Sequence, residues 1–201
     1  MAIFKLSDKA KDYLIQVILI VGSVLLALWL DQLMADHKQN TRKDAAINNI
    51  ITEVSKNQEE VKSVYEYHFT VSERISGFID SVDFRNESKN ALEIISPFIR
   101  NYGLQIAQLQ NTAWNMATDT EVVSLFDYEM AYDMTYLYDL QTRGVESTTE
   151  KIMNFLTESS LFRTEDNEEI VKVITYAMNE LARQEQFLVE KYGEFLEKYQ
   201  K

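Results

Sequence analysis

The stretch Tyr13–Leu30, YLIQVILIVGSVLLALWL, decides how the rest of the chain is interpreted. It contains eighteen residues and no charged side chain. As a helix it would extend about 27 Å, at roughly 1.5 Å per residue, which is close to the hydrocarbon thickness of a bilayer. Tyr13 and Trp29 stand near its two ends, where amphipathic aromatic side chains are enriched in membrane-spanning helices. The segment therefore predicts a single membrane-spanning helix.

A cleaved secretory signal peptide is the alternative interpretation of this segment. The apolar run is longer than the usual core of a signal peptide, and no small-x-small cleavage site follows it. Trp29, Leu30 and Asp31 stand where such a site would be expected. We therefore expect an uncleaved anchor.

The span divides the chain into a short N-terminal tail (1–12), the span itself (13–30), a connecting helix (31–43) and a soluble domain (44–201). Residues 1–43 carry six basic and four acidic side chains, a charge of +2, which leaves −14 for the domain out of a total of −12. Such an acidic domain repels nucleic-acid phosphates and anionic headgroups, because both are bound by clustered Lys and Arg. Nucleic acid is therefore not expected as a partner, and the lipid bilayer is contacted through the span.

The orientation of the span follows from the basic residues beside it, because basic flanks favour the cytoplasmic side. Three basic residues precede the span and three follow it: Lys5, Lys9 and Lys11 before, and Lys38, Arg42 and Lys43 after. The preceding set lies closer to the span, and the first charges after the span are acidic. We place the N-terminus in the cytoplasm and the domain on the extracytoplasmic side.

The composition predicts an all-α fold, because Gly and Pro are scarce (five and one) while helix-forming residues are plentiful. From Asp44 onward, apolar side chains recur at alternating steps of four and three, a heptad repeat maintained over about five repeats. These residues are Ile47, Ile51, Val54, Val61, Tyr65, Ile75, Ile79 and Val82, with Ile50, Val64, Val71 and Phe78 in a neighbouring row. We expect the helix of the span to continue to about residue 83.

Three more long helices are predicted in the remainder of the domain. The second begins near Ser88 or Asn90, is interrupted at Ser96-Pro97 and continues through 104–116; the third runs from Asp127 to about Glu158; the last follows residues 164–166. About four long helices predict an elongated antiparallel bundle with coiled-coil-like packing.

Two sets of small or polar residues are candidates for contacts between helices. Ser23 and Ala27 fit the small-xxx-small pattern of closely packed membrane helices. Gln58, His68 and Ser72 occupy polar places in the heptad and are predicted to set the register between copies of the chain. For His68 the alternative is a hydrogen-bonded core residue within one chain.

Tyr128, Tyr132 and Tyr136 recur at i, i+4 and i+8 and form an aromatic face on the third helix. One interpretation is a bundle face whose phenol groups reach water at its rim. The other is an interaction face for a peptide or an aromatic ligand, because Tyr combines a large contact area with a polar group.

The sequence contains no motif that predicts catalysis or a metal site. Cysteine is absent, and the two histidines, His37 and His68, would be about 46 Å apart on one helix. No Glu-x-x-His, G-x-S-x-G, P-loop or glycine-rich dinucleotide motif is present. We therefore do not expect an enzyme, a metal or a cofactor.

Three sequence features follow one another along the chain. They are Val17–Asp31 (VILIVGSVLLALWLD), the basic cluster at 38–43, and Ala113–Ala117 (AWNMA) before a short apolar stretch. This order resembles a family of small uncharacterised bacterial single-pass membrane proteins with an A-W-x-x-A segment. The family usually has Thr-Gly after that segment, whereas this chain has Asp119-Thr120-Glu121, so the following loop is expected to differ. The resemblance implies anchoring in the bacterial cytoplasmic membrane and carries over no catalytic residue.

Within the A-W-x-x-A segment, Trp114 is expected to act as a core anchor where the second helix meets the third. The functional expectation is a membrane-anchored interaction or scaffold protein that self-associates as a homo-oligomer or binds another protein. The alternative is a membrane sensor or effector, in which a ligand bound to the helical domain acts on the transmembrane segment.

Overall fold

The structure, a computed structural model, describes residues 8–84, 87–99, 104–158, 161 and 166–200. Within these ranges every regular element is helical and no β-strand is present, which confirms the all-α prediction. The α-helices are α1 (Asp8–Ile79), α2 (Ala91–Ile95), α3 (Thr112–Asp119), α4 (Tyr128–Leu140), α5 (Ser147–Leu156) and α6 (Asn167–Tyr199), with a 3₁₀ turn at Val122–Leu125 and a π-helical segment at Gln141–Glu146. The chain divides into two compact units, Met1–Ala45 and Ala46–Lys201.

The first unit contains the predicted span, in the part of α1 that begins at Asp8. Every large apolar side chain from Tyr13 to Leu30 is 48–69% exposed. Such a continuous apolar surface is unfavourable in water and marks a membrane or protein contact. By length and composition, α1 contains a segment that could cross a membrane. Residues 1–7 of the predicted tail lie outside the described residues.

In the second unit, α1 buries one continuous heptad seam. Its members are Ile50, Val54, Asn57, Val61, Val64, His68, Val71 and Ile75, and none is more than 6% exposed. Ile47, Ile51 and Tyr65, from the row that the sequence pattern favoured, are only partly buried. The buried face therefore lies between the two predicted rows, because it combines members of both, and it contains two polar side chains.

The last helix, α6, buries a matching seam. Its members are Val171, Ile174, Met178, Leu181, Glu185, Leu188, Tyr192 and Phe195, each at most 5% exposed. Asp166 occupies the N-cap position of α6. Residues 164 and 165, which the sequence analysis placed directly before this helix, lie outside the described residues.

The third predicted helix is observed as α4, the π-helical segment and α5 in direct succession. A heptad alternates steps of three and four residues between buried positions. Here two steps of four follow one another, from Leu137 to Gln141 and from Gln141 to Val145, which is one residue more than a heptad contains. A π-helical turn accommodates one extra residue in a helix. The π segment therefore keeps Gln141 and Val145 on the same buried face as Met134 and Ile152.

The second predicted helix is not one long helix, so a bundle of four long helices is not confirmed. Its start is correct, because Asn90 caps α2 in a capping box with Glu93. However, α2 ends at Ile95, and residues 104–111 form no regular structure before α3 begins at Thr112. We call residues 104–111 the irregular segment; residues 100–103 lie outside the described residues.

Candidate functional site

The two small residues of the span, Ser23 and Ala27, lie one turn apart on the exposed surface of α1. The Ser23 hydroxyl donates a hydrogen bond to the carbonyl of Ile20 at 2.8 Å. This bond satisfies the hydroxyl within its own helix, so Ser23 presents a small and locally satisfied surface. Contact between copies through this face stays a prediction.

The predicted tyrosine face lies on α4 and is exposed to solvent. Tyr128, Tyr132 and Tyr136 are 87%, 61% and 44% exposed. Tyr132 and Tyr136 line a groove of about 350 Å³ together with Leu137 of α4 and Phe195 of α6. We call this the tyrosine groove.

The charged residues at the tyrosine groove are paired with one another. Lys198 Nζ lies 2.6 Å from Glu129 Oε1 and 2.7 Å from Asp133 Oδ2, and the Tyr199 hydroxyl donates to Asp133 Oδ2 at 2.8 Å. Partial burial acts to raise the pKa of Asp133, but the hydrogen bonds from Lys198 and Tyr199 outweigh it and hold that pKa below its usual range. An anionic ligand would have to displace these carboxylates, so the groove suits an apolar or aromatic contact better than an anion.

The polar members of the α1 seam hold the irregular segment in place. Asn57 donates through Nδ2 to the carbonyl of Gln110 at 2.7 Å and accepts from the backbone N–H of Gln110 at 2.8 Å. The same Nδ2 donates to Gln141 Oε1 at 3.2 Å, and the Tyr192 hydroxyl donates to that oxygen at 2.7 Å. Gln141, in the π segment, in turn donates to Glu146 Oε1 at 2.9 Å. One buried network thus joins α1, the irregular segment, the π segment and α6.

His68 makes the second contact to the irregular segment and also joins α1 to α6. Its Nε2 lies 2.6 Å from the carbonyl of Gln105, and its Nδ1 lies 2.7 Å from Glu185 Oε2. Because a carbonyl only accepts, Nε2 must carry a proton. The bond to Glu185 then needs one further proton, held on Nδ1 or on the carboxyl group.

Glu185 is only 1% exposed, and this burial raises its pKa above the usual range, although the His68 contact partly opposes that effect. The pair is therefore a buried site that retains one proton. It is a hydrogen-bonded core pair within the chain, in agreement with the second interpretation of His68.

Glu53 caps α3 from a different helix. The backbone N–H groups of Ala113 and Trp114 donate to its carboxylate at 2.8 Å and 3.4 Å, and no side chain within α3 caps that terminus. The Tyr138 hydroxyl also donates to Glu53, at 2.7 Å. A carboxylate at a helix N-terminus satisfies unpaired N–H groups and is favoured by the helix dipole.

Trp114 is half-buried against the core, and its ring stacks on Tyr138 with the centroids 5.4 Å apart and the planes at 7°. This position joins α3 to α4. The expected anchor role of Trp114 stays a prediction, and the element that carries Trp114 is a two-turn helix rather than the end of a long one.

The remaining residues of the predicted register layers also bond within the chain. Gln58 Nε2 donates to the carbonyl of Val189 in α6 at 3.1 Å, and the Ser72 hydroxyl donates to the carbonyl of Phe69 at 2.8 Å. Gln58 and His68 fix the register of α1 against α6, whereas the Ser72 bond lies within α1 itself. That they also set register between copies stays a prediction.

Sequence reasoning missed Glu53, Asn57 and Glu185 as functional residues of the fold. A signal for Asn57 was present, since it continues the heptad spacing of Ile50, Val54 and Val61. Glu53 and Glu185 carry no such signal, because acidic residues on solvated helices are common.

Every buried side-chain nitrogen and oxygen among the described residues has a hydrogen-bond partner. Within the same residues, no group of three or more His, Cys, Asp or Glu side chains is arranged to hold a metal ion. No family model, curated protein or solved structure matches the chain.

Proposed function

We propose that the chain is a single-pass, membrane-anchored interaction protein of the bacterial cytoplasmic membrane that self-associates through its helices. The observation that carries the proposal is the exposed apolar surface of α1 from Tyr13 to Leu30, in a helix that continues into the core of an acidic domain. The resemblance of the span and the AWNMA segment to bacterial single-pass proteins supports the same assignment.

Self-association is supported by exposed apolar and aromatic side chains outside the span. Tyr128 and Tyr132 on α4, and Tyr176 on α6, are each more than 60% exposed. Aromatic side chains are enriched at protein interfaces, where they bury a large area and keep a polar group for hydrogen bonding. The buried polar side chains of the described residues, by contrast, have hydrogen-bond partners inside the domain, so they stabilise the fold rather than receive a partner.

The absence of cysteine makes this proposal directly testable in membranes. In this test a single cysteine is introduced into the full chain at one of four positions of the span. Ser23→Cys and Ala27→Cys lie on the proposed contact face. Val21→Cys and Leu25→Cys, about 200° around the helix, are the controls. After mild oxidation we expect disulfide-linked dimers for Ser23→Cys and Ala27→Cys and far fewer for the controls. Monomers at all four positions, together with a monomeric mass for the full chain in nanodiscs, would refute self-association.

We further propose that the domain lies on the extracytoplasmic side. The test is a phosphatase reporter fused after Lys201, with a fluorescent protein fused at the same point as the complementary reporter. Phosphatase activity is expected; fluorescence without phosphatase activity would reverse the orientation and place the acidic domain among cytoplasmic partners.

A sensor that acts on the span is the second candidate, and the tyrosine groove favours it. An aromatic ligand would fit between Tyr132, Tyr136 and Phe195 without displacing the paired charges. Native mass spectrometry of the purified full chain should then detect a retained small molecule, and Tyr132→Ala with Tyr136→Ala should release it. A ligand that the double variant still retains would have to be bound at another site.

A further inference from the structure

The part of α1 that follows the span carries its charges on one side. At about 100° per residue, the charged side chains up to residue 43 fall within one half of the helix circumference: Asp31, Asp36, Lys38, Arg42 and Lys43. The opposite half is uncharged, and we call its residues the uncharged face. They are Leu30, Leu33, Met34, His37, Asn40 and Thr41. The next charged residue on this side is Asp44, beside the end of the first unit at Ala45.

The uncharged face is exposed along its whole length. Every residue from 31 to 42 is exposed, and the exposed fractions of Leu33 and Met34 are 45% and 74%. One heptad row runs through this face and the span, with steps that alternate between four and three residues. Its members are Ser23, Ala27, Leu30, Met34, His37 and Thr41. An exposed row in heptad register is typical of a helix that packs against another helix.

A second copy of the chain matches this row at every position. No Gly or Pro stands between Ser23 and Ser76, so α1 leaves the span without a residue that commonly kinks a helix. A partner must therefore offer a helix at the same depth both inside the bilayer and beyond it. Two parallel copies related by a two-fold axis along their helices do so, because each residue of the row faces its own equivalent and both spans stay in one bilayer.

The charges around the uncharged face permit this parallel pairing. The heptad row contains no Asp, Glu, Lys or Arg, so no such charges face each other within it. In a parallel heptad pair the flanking Lys38 lies beside Leu33 of the second copy, and the flanking Asp31 lies beside Leu26 of the second copy. The flanking positions therefore add no repulsion between like charges.

His37 is the polar centre of the uncharged face. The Thr41 hydroxyl donates to the carbonyl of His37 at 2.9 Å, so that hydroxyl is satisfied within its own helix. The His37 imidazole has no hydrogen-bond partner among the residues that the structure describes. In a parallel pair, two neutral imidazoles bond to each other, one as donor and one as acceptor, whereas two protonated imidazoles only donate and repel each other. Histidine changes its charge between about pH 5 and pH 8, so acid opposes the pair.

We propose that the uncharged face is the surface on which two copies of the chain pair in parallel, with the two His37 side chains in contact, and that acid weakens the pair. The inference rests on the self-association proposed above and adds its direction, its extension beyond the span and its control by pH. The charged side chains beside His37 on α1 are Asp36 and Lys38, which lie about 100° to either side of it and are opposite in sign. On the face itself the nearest charge is Asp44, two turns away. A protonated His37 therefore faces the charge of its own equivalent.

Single cysteines test the surface and its direction, because the chain has none of its own. Met34→Cys and Thr41→Cys lie on the proposed contact, and Gln32→Cys and Gln39→Cys are controls at exposed, uncharged positions on the far side of the helix. After mild oxidation of the full chain in membranes, we expect disulfide-linked dimers at both contact positions and few or none at both controls. Cross-linking at both contact positions requires a parallel pair, since an antiparallel pair brings a residue to its own equivalent at only one level.

The dependence on pH tests the histidine contact. We expect the full chain in detergent to dimerise about tenfold more weakly at pH 5.5 than at pH 8, because two like charges about 6 Å apart near a protein surface repel by roughly that factor. His37→Asn keeps a polar layer that does not titrate and should dimerise equally at both pH values. Adding Gln39→His to that variant restores the number of histidines on the far side of the helix and should leave dimerisation independent of pH. A folded helical spectrum for every variant at both pH values excludes unfolding as the cause.

The outcomes separate this inference from the proposed function. Dimers that cross-link through Ser23→Cys and Ala27→Cys, but no more through Met34→Cys than through Gln39→Cys, would overturn pairing on the uncharged face and leave self-association standing. Dimers that are equally strong at both pH values, or that weaken in acid just as much in His37→Asn, would overturn the histidine contact. A wild-type chain that is monomeric in detergent and in nanodiscs would overturn both proposals.

Discussion

Asn57 is an amide placed in a buried seam between Val54 and Val61, where an aliphatic side chain would be expected. It is fully buried, yet its amide nitrogen and oxygen both make hydrogen bonds, to Gln110 and Gln141. A buried polar group without a partner costs about 1–3 kcal/mol, so the network is stable only while every member is present. Asn57 therefore specifies where the irregular segment lies rather than adding a large net stability.

Replacement of the Asn57 amide should lower the free energy of unfolding. Asn57→Leu keeps the approximate shape but leaves the Gln110 N–H without its acceptor and the Gln110 carbonyl with only the 3.3 Å hydrogen bond from Gln141 Nε2, so we expect the free energy of unfolding to fall by about 1–3 kcal/mol. Asn49→Leu, at an exposed position two turns away on the same helix, is the matched control and should change it by less than about 0.5 kcal/mol. Chemical denaturation followed by tryptophan fluorescence measures both; equal effects would contradict the role of Asn57.

Glu185 should make stability depend on pH. Because its pKa is raised in the folded chain, its contribution is fully present below the pKa of an unfolded Glu and is lost as pH rises through the folded-state pKa. The advantage of wild type over Glu185→Gln should therefore be largest near pH 4 and shrink as the pH rises. Unfolding midpoints measured from pH 4 to pH 8 test this, with Glu190→Gln on the exposed side of α6 as the control for loss of a carboxylate. A difference that is constant with pH would refute the prediction.

At the scale of elements, periodicity predicts the long helices and fails where distant side chains determine the backbone. The apolar periodicity of α1, the cap at Asn90 and the start at Asp127 are all local signals, and the structure agrees with them. The run LQIAQLQ in the irregular segment has good helix propensity. Its backbone is nevertheless held by Asn57 and His68, which lie 37–53 residues earlier, and no local pattern contains that information.

Glycines inside the helices give a stability prediction at this scale. A Cβ added at Gly77 in α1 would have no atom within 4 Å, so Gly77→Ala should raise the free energy of unfolding by about 0.5–1 kcal/mol through helix propensity. At Gly193 in α6 the added Cβ would lie 3.2 Å from Gln58 Nε2, which donates to Val189. Gly193→Ala should therefore gain less than Gly77→Ala, because the Gln58 amide must move. Equal gains in thermal unfolding would show that this contact has no energetic effect.

For the whole molecule, the composition predicts two parts, one that contacts the lipid bilayer and one that contacts water. The apolar segment and the acidic domain are separable in the sequence itself, and the unit boundary at Ala45/Ala46 lies close to the predicted start of the domain at 44. The predicted orientation of the span depends on a small difference in flanking charge, because three basic residues stand on each side of the span.

Membrane anchoring should be abolished by charge in the middle of the span. Each Lys at the centre of a membrane helix costs about 2.5–3.5 kcal/mol on insertion scales, so Val21→Lys with Leu25→Lys should prevent stable insertion. Flotation of membranes after alkaline extraction should recover wild type and the apolar control Val21→Leu with Leu25→Val in the floating fraction, and the charged variant at the bottom. Wild type that fails to float would refute the anchor.

The contacts that join the elements of the domain also affect how fast it can fold. Asn57 and Gln110 are 53 residues apart in sequence, Asn57 and Gln141 are 84 apart, and His68 and Glu185 are 117 apart. Each of these contacts closes a long loop, and the entropy lost in closure opposes it until other contacts compensate. The long helices can form from local interactions within about a microsecond. We infer that the domain folds more slowly than a helical protein built from local contacts alone.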